Sequence, residues 1–241
     1  MKLTTAAGMK SEVYAPVTPP PVWAPLEKEL KDCKVGFATA GGIHIKGQEP
    51  FNTAGDFSFR EIPIETPSSE LMVTHGGFDN SDINKDVNAM LPIDRLHELK
   101  KEGFIGDLSP VLIGFMGGGG NVEKFRKESG PAIAKIFKDA DVDIVVITGG
   151  CGTCHRSATI VQRAIEEVGI STIIVAALPP IAQQQGAPRI AAAHVPIGSN
   201  AGEPNNIEMQ TAILKDSLEL VKSMKSFGEM VMLPYEYRHN V

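Results

Sequence analysis

A chain of 241 residues, 42% hydrophobic and 22% charged, suits one α/β domain, or one domain plus a smaller subdomain, and can bury a substantial core without disulfide staples. Its net charge of −6 argues against nucleic acid as a main partner and against a polybasic membrane patch. No apolar run approaches the ~18–20 residues that span a bilayer, Met1 to Tyr14 lacks the apolar stretch of a secretory signal, and three cysteines do not make a secreted disulfide framework, so a cytoplasmic protein is expected.

Residues 1–32 hold Pro16, Pro19-Pro20-Pro21, Trp23 and Pro25. They read as an extended proline-rich arm, because proline disfavours helix at its own position and at the one before it. Such an arm either packs on a partner subunit or drapes its own domain. Residues 33–241 read as a single α/β domain. Lys34 to Ala40 is an apolar run of buried-strand type, closed by Gly41-Gly42, and Phe57 to Ile62 alternates as a half-buried strand. Glu70 to Thr74 is a further strand, followed by a polar, glycine-containing loop from His75 to Asp86. Pro92 to Glu102 reads as a helix with Gly103 just past its end. Pro110 to Met116 is a strand closed by Gly117 to Gly120. Val122 to Asp139 is a helix that Gly130-Pro131 should break or restart. Asp143 to Thr148 is a strand, Ser157 to Val168 a helix with apolar residues at helical spacing, and Thr172 to Leu178 another strand. Pro179-Pro180 and Gln183 to Gln185 fall in a loop, Arg189 to Val195 is a strand, Asn206 to Met224 a long amphipathic helix, and Met232 to Tyr237 a tail. Strands alternating with helices predict a mostly parallel sheet covered on both faces, of Rossmann or flavodoxin-like type.

The chemistry concentrates in Gly149-Gly150-Cys151-Gly152-Thr153-Cys154-His155. The run before it places Cys151 at the carboxyl end of a buried strand, where open α/β sheets bind their ligands. The following helix begins near Cys154, and its free N–H groups and positive end favour a thiolate at Cys151. Gly150 and Gly152 allow a sharp turn and close approach of a substrate. Thr153 is a candidate for positioning the motif backbone, and His155 is the candidate for thiolate support or proton handling, with Arg156 adding positive charge. Two thiols three apart permit one to attack and the other to resolve the adduct as a disulfide. The residues alone leave three readings: redox or covalent chemistry, a metal pair, and two inert core cysteines. No second cysteine pair or close histidine set completes a tetrahedral site, so no metal is expected. Cys33 reads as a small buried hydrophobe.

Other features look ligand-like. His75-Gly76-Gly77 and the acidic loop Asp79, Asp82 and Asp86 only loosely resemble a calcium loop, which needs a central glycine and a bidentate glutamate. A solvated or partner-facing loop is the expectation there. Gly117 to Gly120 lacks the residues of a nucleotide loop and reads as a tight turn beside the active site. His44 and Glu61 are taken as structural.

The run Gly149 to Ala158 resembles the selenocysteine motif of the amino-acid reductases that act on glycine, sarcosine, betaine or D-proline, and is most similar to the small, gamma-type subunits of the D-proline branch. The likeness extends over nearly the whole chain. It takes in Pro19 to Trp23, Phe51 to Asp56, Ser69 to Gly77, Asn80 to Asp86, Gly114 to Gly120, Asn200 to Asn206 and Leu233 to Tyr237. The family usually carries selenocysteine at the first position of the motif, where this chain has Cys151, and the natural residue at 151 is left open between the two. The resemblance implies reductive opening of D-proline to 5-aminovalerate at the expense of a dithiol or protein electron donor. Cys151 would attack the α-carbon and Cys154 would resolve the adduct. It implies no cofactor on this chain other than selenium at 151, and a partner D-proline reductase subunit bearing a pyruvoyl group. The alternatives are a glycine-, sarcosine- or betaine-type subunit, and a non-catalytic cysteine variant that scaffolds the pyruvoyl subunit.

Overall fold

The computed structural model describes residues 20–119 and 122–238. Ten strands fall in chain order: β1 Lys34–Thr39, β2 Ile43–Ile45, β3 Phe59–Pro63, β4 Leu71–Val73, β5 Asp107–Leu108, β6 Val111–Phe115, β7 Ile144–Thr148, β8 Ser171–Ala176, β9 Arg189–His194 and β10 Glu229–Glu236. The helices are α1 Ser81–Lys85, α2 Ile93–Lys101, α3 Val122–Lys124, α4 Gly130–Asp139, α5 Gly152–Glu167, α6 Pro179–Gln184 and α7 Ile207–Ser223. The main sheet runs β10-β9-β8-β7-β1-β6-β3, with β5 also pairing with β1. Its pairings are parallel except for β3, which lies antiparallel on β6. β2 and β4 form a separate antiparallel pair. The α/β architecture with a mostly parallel sheet is thus present as the strand and helix alternation predicts.

The apolar runs explain the layering. All five residues of β7 are buried, as a strand covered on both faces requires. Ile144 and Val146 join a core with Leu96 and Leu99 of α2 and Ile213, Leu214 and Leu218 of α7. Val145 and Ile147 join the opposite core with Ile133 and Phe137 of α4 and Val161 and Ile165 of α5. This period-two division follows from successive side chains pointing to opposite faces.

β1 lies between β6 and β7. The chain passes from β6 across β1 to β7, so the strand order reverses there and the loops at the carboxyl ends of these strands diverge into a crevice. The Thr148 hydroxyl of β7 donates to the Met90 carbonyl at 3.0 Å and lies 2.8 Å from the Thr39 hydroxyl of β1, pinning the crevice floor. At Gly114 of β6 a Cβ would lie 1.9 Å from the Ile43 carbonyl oxygen, so the small sheet packs on the large one through a missing side chain. Gly114→Ala is expected to destabilise the chain by about 1–3 kcal/mol or more, as forced overpacking does, read as a lower denaturant midpoint.

Several elements differ from the sequence-based expectation. Ser81–Lys85 forms a helical turn inside the expected loop. The residues before Gly130-Pro131 widen into a π-helical turn, Phe125–Ser129, with Gly130 N–H donating to the Phe125 carbonyl. The helix is bulged there and not broken, since the π turn leaves room for the proline ring. α5 begins at Gly152, which puts Thr153 and Cys154 inside the helix. Pro179-Pro180 open α6, at first-turn positions whose N–H groups would be unpaired in any case. The tail is β10, an edge strand where Pro234 is tolerated.

Of the arm, residues 1–19 lie outside the described residues. Residues 20–32 lie on their own chain. Arg189 sits over the Trp23 ring at 3.6 Å and donates to the Ala24 carbonyl at 2.7 Å, as does Ser171 at 2.9 Å. The Ala24 N–H donates to the Glu166 carboxylate. Arg189 and Glu166 are themselves paired at 2.5 Å, with both side chains fully buried.

Candidate functional site

The site is assembled from four chain segments at the switch point. β7 delivers Cys151 as the N-cap of α5, half-buried, while Cys154 one turn on is fully buried. Their sulfurs lie 2.9 Å apart. β4 delivers His75, whose Nε2 lies 2.9 Å from Cys154 Sγ and 3.1 Å from the Met116 carbonyl oxygen. That carbonyl, from the turn after β6, also lies 3.1 Å from Cys154 Sγ. The turn after β1 completes the floor: a Cβ at Gly150 would lie 3.0 Å from the Ala40 carbonyl oxygen and 2.9 Å from the Phe78 ring. Gly117, at φ 69°, approaches so closely that a Cβ would stand 3.1 Å from Cys154 Cα. The expected tight turn beside the dithiol is therefore where Gly117 to Gly119 lie, and Gly120 is outside the described residues.

The two thiols are strongly unlike. Cys151 is pulled down to about 4, first by the hydrogen bond from the Cys154 thiol, then by those from His75 and the Cys154 amide, against burial. Cys154 is pushed up, first by burial and then by the adjacent Cys151 sulfur. One proton thus serves the pair and resides on the buried sulfur. Iodoacetamide alkylation of Cys151 is accordingly expected to stay level across the neutral range and to fall only as pH drops through about 4, because its thiolate persists above that point. Rates that instead rise towards the ordinary thiol value of ~8.5 would sink this asymmetry.

His155 takes a different place from the one its sequence position suggests. Its Nδ1 donates to the Cys151 carbonyl at 3.0 Å and its Nε2 accepts from the Leu178 N–H at 3.1 Å. Burial lowers its basicity, so it is a neutral ring whose two nitrogens brace the backbone at the helix start. Gly152 lies against Ile181 of α6, and Thr153 is half-buried in the first turn of α5.

His75 is the residue that reading the sequence did not select. It is 79 positions from Cys154, and the available signal was a histidine followed by two glycines at a strand end. Gly77 leaves the approach to Cys151 open: a Cβ there would lie 2.8 Å from His75 Cε1 and 3.2 Å from Cys151 Sγ. His75, Cys151 and Cys154 bring their ligand-type atoms within 4.8 Å of one another, near the spacing of a metal triad. The Gly77 N–H, however, donates to His75 Nδ1 at 2.8 Å, which leaves Nε2 as the proton-bearing nitrogen of that tautomer. A metal at Nε2 would drive that proton onto Nδ1, against the amide, and the donor set fits a metal poorly.

The acidic loop is structural. Asp82 accepts from Ser199 and Tyr237, each at 2.7 Å. Asp86 accepts from Gln210 at 2.7 Å and from the Asn205 and Asn88 amides at 2.8 and 3.0 Å. His44 is buried, bonded to Thr74 at 2.8 Å. Cys33 is buried, and burial raises its thiol to about 11, consistent with an inert core residue.

No helix among the described residues is long and apolar enough to cross a membrane, and no solved structure matches the chain. It is 58% identical over 235 residues to the D-proline reductase subunit gamma of Acetoanaerobium sticklandii, covering 98% of this chain and 97% of that one. It is 31% identical to the glycine reductase complex component B subunit gamma of Carboxydothermus hydrogenoformans over 76% of this chain and 44% of that one. The same subunit of Symbiobacterium thermophilum is also 31% identical, over 84% and 47%. The chain therefore spans about half the length of the glycine reductase subunits and nearly all of the D-proline reductase subunit. The glycine/sarcosine/betaine reductase selenoprotein B family matches residues 9–150, and together with the full-length relative this makes the chain a member of that family.

Proposed function

We propose that this chain is the dithiol-bearing subunit of a cytoplasmic D-proline reductase, which opens D-proline to 5-aminovalerate. The observation that carries the reading is the close thiol pair at the switch point: Cys151 under an open approach, its thiol pulled down to about 4, with the Cys154 sulfur 2.9 Å behind it. The near full-length likeness to a D-proline reductase subunit supplies the substrate class. A pyruvoyl group on a partner subunit would supply an electrophilic carbonyl for the ring nitrogen, making it a better leaving group.

The chain's own residues do the rest. The Cys151 thiolate forms a bond to the α-carbon as the Cα–N bond breaks, the electron pair leaves on nitrogen, and the nitrogen takes a proton from solvent or the partner. Cys154 then attacks the Cys151 sulfur. The S–Cα bond breaks with its pair on carbon, carbon takes up the proton that Cys154 gives up, and a Cys151–Cys154 disulfide remains. An external dithiol or protein donor returns the two electrons. The Phe78 ring over Gly150 and Ile181 beside Gly152 offer an apolar rim suited to a pyrrolidine ring. Selenium at position 151 would run the same steps; a selenol ionises at neutral pH unaided, whereas the thiol relies on its hydrogen bonds to do so.

The test is to supply the purified complex and a dithiol with D-proline, glycine, sarcosine and betaine in turn. Formation of 5-aminovalerate from D-proline alone is expected. Consumption of another amine with D-proline untouched would overturn the reading in favour of a glycine-, sarcosine- or betaine-type subunit.

A further inference from the structure

We propose that His75 is a catalytic residue of the resolving half-reaction: its Nε2–H serves the Cys154 sulfur, holding a hydrogen bond to it while it turns from thiol into nucleophile and again when it leaves the disulfide. The proposal rests on the dithiol mechanism above and adds the group that lets its second step run. Cys154 is the difficult member of the pair. It is fully buried, and burial raises its thiol, yet it must become an anion to attack. The Met116 carbonyl, 3.1 Å away, has only lone pairs to offer. The Cys151 sulfur, 2.9 Å away, is the atom under attack. His75 Nε2, also 2.9 Å away, offers a donor.

Three contacts fix that donor before the reaction starts. The Gly77 N–H donates to Nδ1 at 2.8 Å, which leaves Nε2 as the proton-bearing nitrogen of that tautomer. The Asn80 side-chain amide donates to the His75 carbonyl at 2.7 Å. The ring lies against Phe78, with centroids 4.5 Å apart. An Nε2–H pointing at sulfur suits a thiol and a thiolate alike, so nothing has to turn as Cys154 ionises. The bond strengthens as negative charge develops on the sulfur, which is how a preorganised donor lowers a barrier. His155 cannot take this part, because its two nitrogens are engaged by the Cys151 carbonyl and the Leu178 amide.

In product release Cys154 bonds to the Cys151 sulfur, and the S–Cα bond breaks with its pair on carbon. The proton of Cys154 ends on that carbon, and His75 keeps its own. In the reset the first thiolate of the dithiol donor bonds to Cys151, and the S–S bond breaks with its pair on Cys154. The same Nε2–H meets the departing sulfur, because thiol–disulfide exchange runs through one arrangement in either direction. The donor's second thiol then attacks the donor's own sulfur and frees Cys151. Two electrons have passed to the pair, and Cys154 has regained a proton. Access agrees with this direction, since Cys151 is half-buried and Cys154 has no exposed surface.

The test treats the full chain with methyl methanethiosulfonate and reads acid-quenched samples by peptide mass. The reagent places a methylthio group on Cys151. Cys154 then expels methanethiol and leaves the Cys151–Cys154 disulfide, so decay of the adduct times the resolving attack alone. His75→Phe keeps a ring and removes the donor, and His75→Gln restores an N–H at similar reach. Adduct decay is expected to slow by about tenfold to a hundredfold in His75→Phe, the scale of a hydrogen bond to a charged group. It should return to within a few-fold of the parent in His75→Gln. Formation of the adduct should change far less, because the largest support of Cys151 is the Cys154 thiol. Decay as fast in His75→Phe as in the parent, or as slow in His75→Gln as in His75→Phe, overturns the proposal. Should His75→Phe fail to fold, the unaltered chain in its disulfide form decides when given a monothiol and quenched. The adduct is expected on Cys151, and an adduct on Cys154 overturns the proposal. Neither reagent needs amino acid or partner subunit, so a failure of D-proline turnover would leave these results standing.

Discussion

Replacing Cys151 with serine is expected to lower turnover of the complex by on the order of a thousandfold or more, the scale seen when a covalent nucleophile is removed. The serine hydroxyl would occupy the same N-cap position and keep the helix start intact. What it lacks is ionisation: the contacts that pull the Cys151 thiol to about 4 start from a much weaker acid in serine and leave it protonated. Cys154→Ser should fail differently. The first bond to the α-carbon still forms, but serine cannot close a disulfide, so the reaction stops after one turnover with the product skeleton attached to Cys151. Intact mass after substrate addition distinguishes the two variants. An adduct in Cys154→Ser and none in Cys151→Ser is the expected pattern, and sustained turnover in either variant would remove the dithiol from the mechanism.

The division of labour between these sulfurs was legible in part from the sequence. The β-branched run Ile144 to Thr148, followed by two glycines, announces a buried strand that hands over sharply, and this locates Cys151 at a strand end. The nature of the support was not legible. His155 neighbours the motif, but a residue four positions after an N-cap stacks over the first turn. Its Nδ1 therefore finds the Cys151 carbonyl at 3.0 Å and leaves the thiol to others. The histidine that does reach the thiols comes from β4, brought in by an antiparallel pairing of β2 with β4 that two three-residue strands barely signal. The tail misled for another reason. Met230 and Met232 stay exposed and Pro234 interrupts the run, which reads as a coil. At a sheet edge neither feature is costly, and the register shift between Met232 and Glu236 takes up the proline. Pro179-Pro180 reads as a breaker only if the helix is imagined to contain it; at the first turn it is a start signal.

A second large effect is expected far from the thiols, at the buried pair that holds the described part of the arm. Glu166→Ala should destabilise the chain by about 3–5 kcal/mol, the cost of leaving one charge of a buried pair uncompensated. The carboxylate does more than face Arg189 at 2.5 Å. It accepts from the Thr172 amide and hydroxyl, each at 2.8 Å, and from the Ala24 N–H, so its loss frees α5, β8 and residues 20–32 together. Arg189, left alone, would still be covered by the Trp23 ring and bonded to the Ala24 carbonyl, with no anion beside it. Two measurements separate the pair from simple packing. Denaturant unfolding should show the loss in Glu166→Ala, and the double variant Glu166→Leu with Arg189→Met should recover much of it, because no unpaired charge then remains. Proteolysis near Trp23 should accelerate in the single variant. A double variant as unstable as the sum of its singles would mean that the charges contribute independently, and that the arm is held by its apolar contacts alone.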